Sequence, residues 1–199
     1  MGACTTLSTL HGAHTTPKDE RVLTIATGAV GAVDVTNVQS VGVLPTVAEV
    51  QYRQGLTDRL DFGVRLYLVG VMLDANWMIV EARDFAVSLN PAIGGYVSGG
   101  DPADQTSVLG GAWMSVLMDL AHSQRATLTI GARGGLLLAS QKEWTGGGGT
   151  AEGTLVGGGM LGATQRLSWR VSLLEEASVY TIGNGVILFN ASLGLVWNE

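Results

Sequence analysis

Three histidines and a single cysteine set the limits on what chemistry this chain could carry. His11-x-x-His14 has the spacing of a metal-binding pair, but no acid or thiol partner lies nearby, and two ligands do not make a site. His122-Ser123 puts a base beside a hydroxyl. Adjacent residues on a tight turn do not form a nucleophile–base pair, so these read as turn residues. Gly146–Gly149 lacks the Lys-Ser/Thr and the following helix that a phosphate loop needs. Cys4, being alone, excludes an internal disulfide. The expectation is therefore no catalytic residue, no metal site and no cofactor.

The charged residues are more informative because they alternate with apolar ones. Between Val47 and Leu68, Glu49, Gln51 and Arg53 share one face while Ala48, Val50 and Tyr52 share the other. Past Gly55–Arg59 the pattern resumes. Leu60, Phe62, Val64, Leu66 and Leu68 point one way, and Asp61, Gly63, Arg65 and Tyr67 the other. A two-residue period means a sheet with one apolar and one polar face. Carried along the chain, the polar parity collects Glu49, Arg53, Asp61, Arg65, Asp74, Asp119, Arg125, Arg133, Arg170 and Glu176. Arginines and acids in similar number, without lysine, suit buried, multiply bonded ion pairs better than a solvated surface. Across the 55–59 turn, hairpin register should bring Arg53 near Asp61 and Arg65 near Glu49.

These charges need a scaffold that turns them inward. The chain has 199 residues, 46% hydrophobic and only 14% charged, with 29 glycines. That length allows one barrel or sandwich domain. No run of 18 apolar residues exists, so no transmembrane helix is expected. Net charge is -6 with no basic patch, which makes nucleic acid an unsuitable partner. Alternation and turn residues predict strands over Arg21–Val33, Leu44–Gln54, Leu60–Leu68, Leu73–Val80, Phe85–Val97, Ser107–Leu120, Arg125–Ala139, Ala151–Gln165, Trp169–Val179 and Val186–Trp197. That is about ten strands. Connections near 55–59, 81–84, 122–124 and 166–168 are short; those near 34–43, 98–106, 140–150 and 180–185 are mostly longer. The reading is an all-β, antiparallel up-and-down transmembrane β-barrel over 21–199, preceded by a polar N-terminal tether over 1–20. The short turns would be periplasmic and the longer loops extracellular.

The aromatic residues choose between a membrane barrel and a soluble one. Tyr52, Phe62, Trp77, Phe85, Trp169 and Trp197 all fall on the apolar face, near the short-turn rim. Outward rings at one level form a membrane-interface girdle. Inside one rim of a ten-stranded barrel the same rings would be hard to accommodate. The alternative is a soluble, lipocalin-like ligand-binding barrel with the apolar face inward.

At this point the chain resembles bacterial outer-membrane β-barrel proteins. Gln54-Gly-Leu-Thr-Asp-Arg-Leu-Asp-Phe-Gly-Val-Arg-Leu66 looks like a periplasmic turn and following strand of that family, and the strand pattern covers nearly the whole chain. The end, Leu195-Val-Trp197-Asn-Glu199, departs from the terminal aromatic that typically closes the family's last strand; Trp197 would take that part. Gly-Ala before Cys4 resembles the end of a bacterial lipoprotein cleavage site, which would make Cys4 a lipidation site. The resemblance implies a location in the bacterial outer membrane with both termini periplasmic. Outer-membrane lipid would surround the barrel, and another outer-membrane or periplasmic protein would be its partner. Outer-membrane proteases and lipid acyl hydrolases also share this scaffold, but the histidines lie at the wrong rim for either, so no enzyme is expected. Two functions remain: a structural or partner-binding barrel with a narrow charged lumen, or a small-solute pore.

Overall fold

The computed structural model describes residues 9–35, 39–67, 70–99, 105–122, 125–143, 150–183 and 185–199. Ten strands follow one another: β1 (Arg21–Asp34), β2 (Gln39–Thr57), β3 (Leu60–Tyr67), β4 (Gly70–Glu81), β5 (Ala86–Gly99), β6 (Gln105–His122), β7 (Ala126–Glu143), β8 (Thr150–Arg166), β9 (Val171–Ile182) and β10 (Val186–Asn198). Each pairs antiparallel with its sequence neighbours, and β1 closes on β10. The closure leaves no free sheet edge, so the ladders of the first and last strands are paired within the wall. Beyond Trp197, Glu199 donates its N–H to the Arg21 carbonyl at 2.9 Å and Asn198 donates to Arg170 O at 2.9 Å. The two residues past the aromatic thus continue the seam between the first and last strands.

The pleat is inside-out relative to a soluble protein. In β3, Arg65 is 1% exposed while its neighbour Leu66 is 53% exposed. The same inversion holds in β4, where Asp74 and Asn76 are buried and Leu73, Trp77 and Ile79 are exposed. A soluble ligand-binding barrel needs the opposite arrangement, so the lipocalin-like alternative is set aside.

The interior has two layers. Toward the rim where β3 ends and β4 begins, Met72, Ala92, Trp113, Leu137, Val156 and Tyr180 pack together, with Tyr67, Leu109, Ile182 and Leu188 against them. Toward the other rim the wall is polar. The rings fit because neighbouring strands present glycine. A Cβ on Gly135 would lie 2.7 Å from Trp113 Cδ1, and one on Gly158 would lie 2.1 Å from Val179 O and 2.5 Å from Tyr180 Cδ1. The glycine-rich eighth strand is therefore where a bulky neighbour leans across.

The strands reach further than their alternation suggests. The loops expected over 34–43, 98–106 and 140–150 are largely strand: β2 begins at Gln39, β5 runs to Gly99, β6 begins at Gln105, and β7 and β8 extend to Glu143 and from Thr150. In β5 to β8 the residues added there are Ser, Gly, Gln, Thr, Lys and Glu, so the sequence has no apolar stripe to mark a strand although the backbones pair. Pro45, expected at the start of a strand, lies inside β2 opposite Ala29, close to the register shift between Ala26 and Gly28. A residue without an N–H is tolerated beside such an irregularity.

Three adjacent glycines of β8 supply a test. Gly158→Ala should destabilise the barrel by about 1–3 kcal/mol, because its methyl meets fixed backbone. Gly157→Ala, whose Cβ would have its nearest neighbour at 4.0 Å, should be close to neutral. Urea unfolding in detergent reads both; equal losses would show that the close approach does not matter.

Candidate functional site

The site is the polar half of the lumen, and its centre is a piece of chain rather than a cavity. Running back from β1, the chain turns sharply. Glu20 donates its N–H to Pro17 O at 3.0 Å, closing a tight turn with Asp19 in the left-handed region at φ 66°. Aspartate tolerates that conformation better than most residues. Gly55 clamps the turn: Asp19 N–H donates to Gly55 O and Gly55 N–H to Glu20 O, both at 3.1 Å. A Cβ at Gly55 would lie 1.9 Å from Pro17 O, so only glycine permits the approach. Residues 9–16 then lie inside the barrel. The 1–20 segment, expected as a tether, is over its described part a plug.

Wall side chains grip this plug largely by its main chain. Asp61 accepts from Thr16 N–H at 2.7 Å. Asp119 accepts from Ala13 N–H at 3.0 Å, from His14 N–H at 3.1 Å, and from the His14 ring at Nδ1. Asn76 Nδ2 donates to the carbonyls of Ala13 and His14, both at 3.4 Å. Glu176 accepts from Thr9 N–H at 2.9 Å and Leu10 N–H at 3.0 Å. Arg65 Nη2 donates to Thr9 O. The N–H groups of Thr9 and Leu10 meet one carboxylate, as in an anion-binding nest, and Leu10 itself has φ 57°. Gly12 passes so close to the wall that a Cβ would lie 2.9 Å from Asp119 Oδ1.

Beside the plug lies an ion-pair network. Arg53 donates to Asp61 through Nε, at 3.0 Å, and through Nη2, and to Asp74 Oδ1 through Nη1 at 2.6 Å. Gly63 leaves room for this, since a Cβ there would lie 2.8 Å from both Arg53 Nη1 and Asp74 Oδ2. Asn90 adds a donor to Asp74 at 3.1 Å. Arg65 Nη1 stands 3.9 Å from Glu49 Oε2. In the amide orientation that satisfies both guanidinium groups, Gln51 accepts from Arg53 and Arg65 and donates to Leu10 O at 3.2 Å.

Of the ten charges expected in the lumen, Glu49, Arg53, Asp61, Arg65, Asp74, Asp119, Arg133 and Glu176 are buried there. Arg133 turns toward the apolar layer, donating to Ser115 Oγ at 2.9 Å with its Cζ 6.0 Å from the Tyr180 ring centroid. Arg125 and Arg170 are corrections: both are exposed at the short-turn rim. β7 begins at Ala126 and β9 at Val171, so each arginine lies one residue outside the pleat and strand parity does not aim it. Arg170 instead stacks over the Trp169 ring, 4.0 Å from its centroid. Tyr52, Phe62, Trp77, Phe85 and Trp169 are exposed on the outer face and Trp197 is half-exposed. Cys4, Ser123 and Gly146–Gly149 lie outside the described residues. The sequence reading missed His11, His14 and Trp113 as lumen residues; Asn76 shares the polar parity of Asp74. Trp113 could have been found, since it shares the parity of Ser115 and Asp119.

The two histidines are held in opposite ways. Burial, with Arg53 beside it, pushes His11 down to about 3 from its ordinary 6.5; Asp74, 3.9 Å from Nε2, pulls the other way and loses. The hydrogen bond to Asp119 raises His14, against a smaller opposing effect of its partial burial. The signs follow by linkage. His11 helps retain the plug above about 6.5, and that help is lost as pH falls toward 3. His14 helps below about 6.5, and its help is lost as pH rises through its raised value. Ring-proton NMR of the detergent-solubilised protein should show His14 titrating above 6.5 while His11 stays neutral down to pH 5. A His11 that titrates near 6.5 would mean the ring is not in the lumen.

A mutation tests the network itself. Arg53→Ala leaves Asp61 and Asp74 buried without their shared guanidinium and should cost about 3–5 kcal/mol. Arg170→Ala at the rim should change stability by less than about 1 kcal/mol.

No protein-family model matches the chain, and no curated protein matches it significantly. Solved structures do. Ail, the attachment invasion locus protein of Yersinia pestis, in complex with the heparin analogue sucrose octasulfate, aligns at TM-score 0.55 and 8% identity, over 92% of this chain and 99% of that one. The outer-membrane protease OmpT from Escherichia coli aligns at 0.54 and 8%, over 92% and 98%. An outer-membrane channel from Pseudomonas putida F1 aligns at 0.51 and 12%, over 94% and 98%. The fold is therefore that of bacterial outer-membrane β-barrels. Identities this low speak for the fold alone.

Proposed function

We propose that the protein is an integral barrel of the bacterial outer membrane, closed by its own N-terminal segment, and that it serves there as a structural or partner-binding element without enzymatic activity. The observation that carries this is the filling of the lumen from both ends. Residues 9–16 occupy the polar half, and Met72, Trp113, Leu137, Val156 and Tyr180 pack the other. A ten-stranded barrel is only modestly wider than an eight-stranded one, whose side chains just fill it. The exposed apolar face and the ring of Tyr52, Phe62, Trp77, Phe85 and Trp169 support lipid as the surrounding medium. Both termini of the barrel wall, Arg21 and Asn198, sit at the short-turn rim, which would face the periplasm. A periplasmic or outer-membrane protein would meet the barrel at that rim.

Planar-bilayer recording decides between this reading and a small-solute pore. The purified protein should insert without steady conductance, and removing the plug alone should not open a path, because the apolar layer remains. A steady ohmic conductance from the intact protein would overturn the closed-barrel reading. The membrane reading has its own check: the protein should need detergent and should migrate differently on gels before and after boiling. A monodisperse, detergent-free monomer at high concentration would refute it.

A further inference from the structure

The wall holds residues 9–16 mostly by groups that every residue possesses. Asp61, Asp119 and Glu176 take N–H groups; Asn76 and Arg65 give to carbonyls. The plug's own polar side chains add His14 Nδ1 to Asp119, Thr9 Oγ1 to Glu176 at 2.7 Å and to Met160 Sδ at 2.9 Å, and Thr15 Oγ1 to the Asp58 carbonyl at 2.8 Å. The recognition is thus largely of an extended main chain, and this kind of recognition tolerates sequence.

A second observation extends the pattern past Thr9. Ser192 pairs with Glu176 and Asn190 with Ser178 across the β9–β10 ladder. Asn190 is 3% exposed, and both atoms of its amide lack a hydrogen-bond partner among the described residues, as does Ser192 Oγ. A side-chain amide carries one acceptor and a donor group, the same pair a peptide unit offers in reverse. A buried amide with neither end met is costly and asks for a polar occupant. At the other end, the plug does not meet the wall everywhere. A cavity of about 290 Å³ lies between the plug and the wall, lined in part by His11, Thr15, Thr127, Thr164 and Ser172.

We infer that the polar half of the lumen is a binding site for an extended polypeptide, read through its main chain, and that residues 9–16 are its resident occupant. The acids are the selective part: they need chain whose N–H groups are not already used in a helix or a ladder. An unstructured segment of another polypeptide has the same chemistry and can take the same place.

The test uses the full-length protein, folded with its own segment in place and carrying a site-specific protease sequence inserted after Lys18. After nicking in detergent, a fluorescent peptide of residues 5–18 is added with two competitors. One has the same composition in scrambled order, with Gly12, Ala13 and Pro17 kept in place because the wall is close at the first two and proline lacks an N–H. The other has the native order with N-methyl groups at Leu10, Ala13 and Thr16. The labelled peptide should exchange into the barrel, and the scrambled peptide should compete within about tenfold. The N-methylated peptide loses three charge-assisted hydrogen bonds and should be weaker by about thirtyfold or more, a loss that one or two such bonds would already produce. Failure to exchange would make the plug a fixed part of the fold. Failure of the scrambled peptide alone would make recognition side-chain specific, and full potency of the N-methylated one would remove main-chain reading; each overturns the inference. If the insertion prevents folding, the unaltered protein serves. Millimolar native or scrambled peptide should move the His14 ring resonances to free-histidine positions and the N-methylated peptide should not; unmoved resonances with all three overturn the inference equally. Exchange is read in detergent and does not depend on whether the barrel conducts.

Discussion

A carboxylate enclosed in a narrow barrel has to be met by donors, and this barrel encloses Glu49, Asp61, Asp74, Asp119 and Glu176. The buried arginines are Arg53, Arg65 and Arg133, and Arg133 is turned toward Ser115 and Tyr180. The wall is therefore richer in acids than in guanidinium groups. An uncompensated charge in such a place costs several kcal/mol. The deficit is made up by the N-terminal segment: main-chain N–H groups reach Asp61, Asp119 and Glu176, and His14 adds its ring. The plug is bound up with the electrostatics of the wall. Without it, Asp119 and Glu176 would lose donors in an interior that offers few others.

The remaining half of the lumen is closed by a different means. There the interior is apolar, and its residues interlock through glycines on neighbouring strands, Gly135 beside Trp113 and Gly158 beside Tyr180. Packing of this kind needs no partner from outside the wall. The two halves thus differ in what could change them. The apolar layer opens only by moving rings against backbone. The polar half opens by exchanging one set of main-chain donors for another, including water.

The wall was legible in the sequence and the plug was not. Period-two alternation revealed ten strands and their two faces, because side-chain direction in a strand is fixed by parity, and the aromatic residues chose which face turns outward. Arg53 near Asp61 followed from the tight hairpin, where register leaves little choice. The same parity failed for Arg125 and Arg170, which precede their strands by one residue and so escape the pleat. The far-rim extensions of β5 to β8 failed for another reason: Ser, Thr and Gln pair through backbone without an apolar stripe to mark them. Residues 9–16 show no period at all. Their contacts reach acids 45 to 167 positions away, and nothing local announces them. The one local clue was the Pro17–Glu20 turn, which reverses the chain immediately before β1.

That lack of period is itself a consequence of what the segment does. A helix would have used its N–H groups internally, and a strand would have spent them on a ladder. Either way Asp61, Asp119 and Glu176 would have lacked donors. Only chain that is irregular and extended can present successive N–H groups to separate acids on several strands. The composition of residues 9–16 fits this: Gly12 and Ala13 are small where the wall is close, Leu10 takes a left-handed backbone that no helix or strand would use, and the hydroxyls and histidines keep it polar. A tract that looks like a tail by every sequence measure is the conformation that the inward-facing acids require.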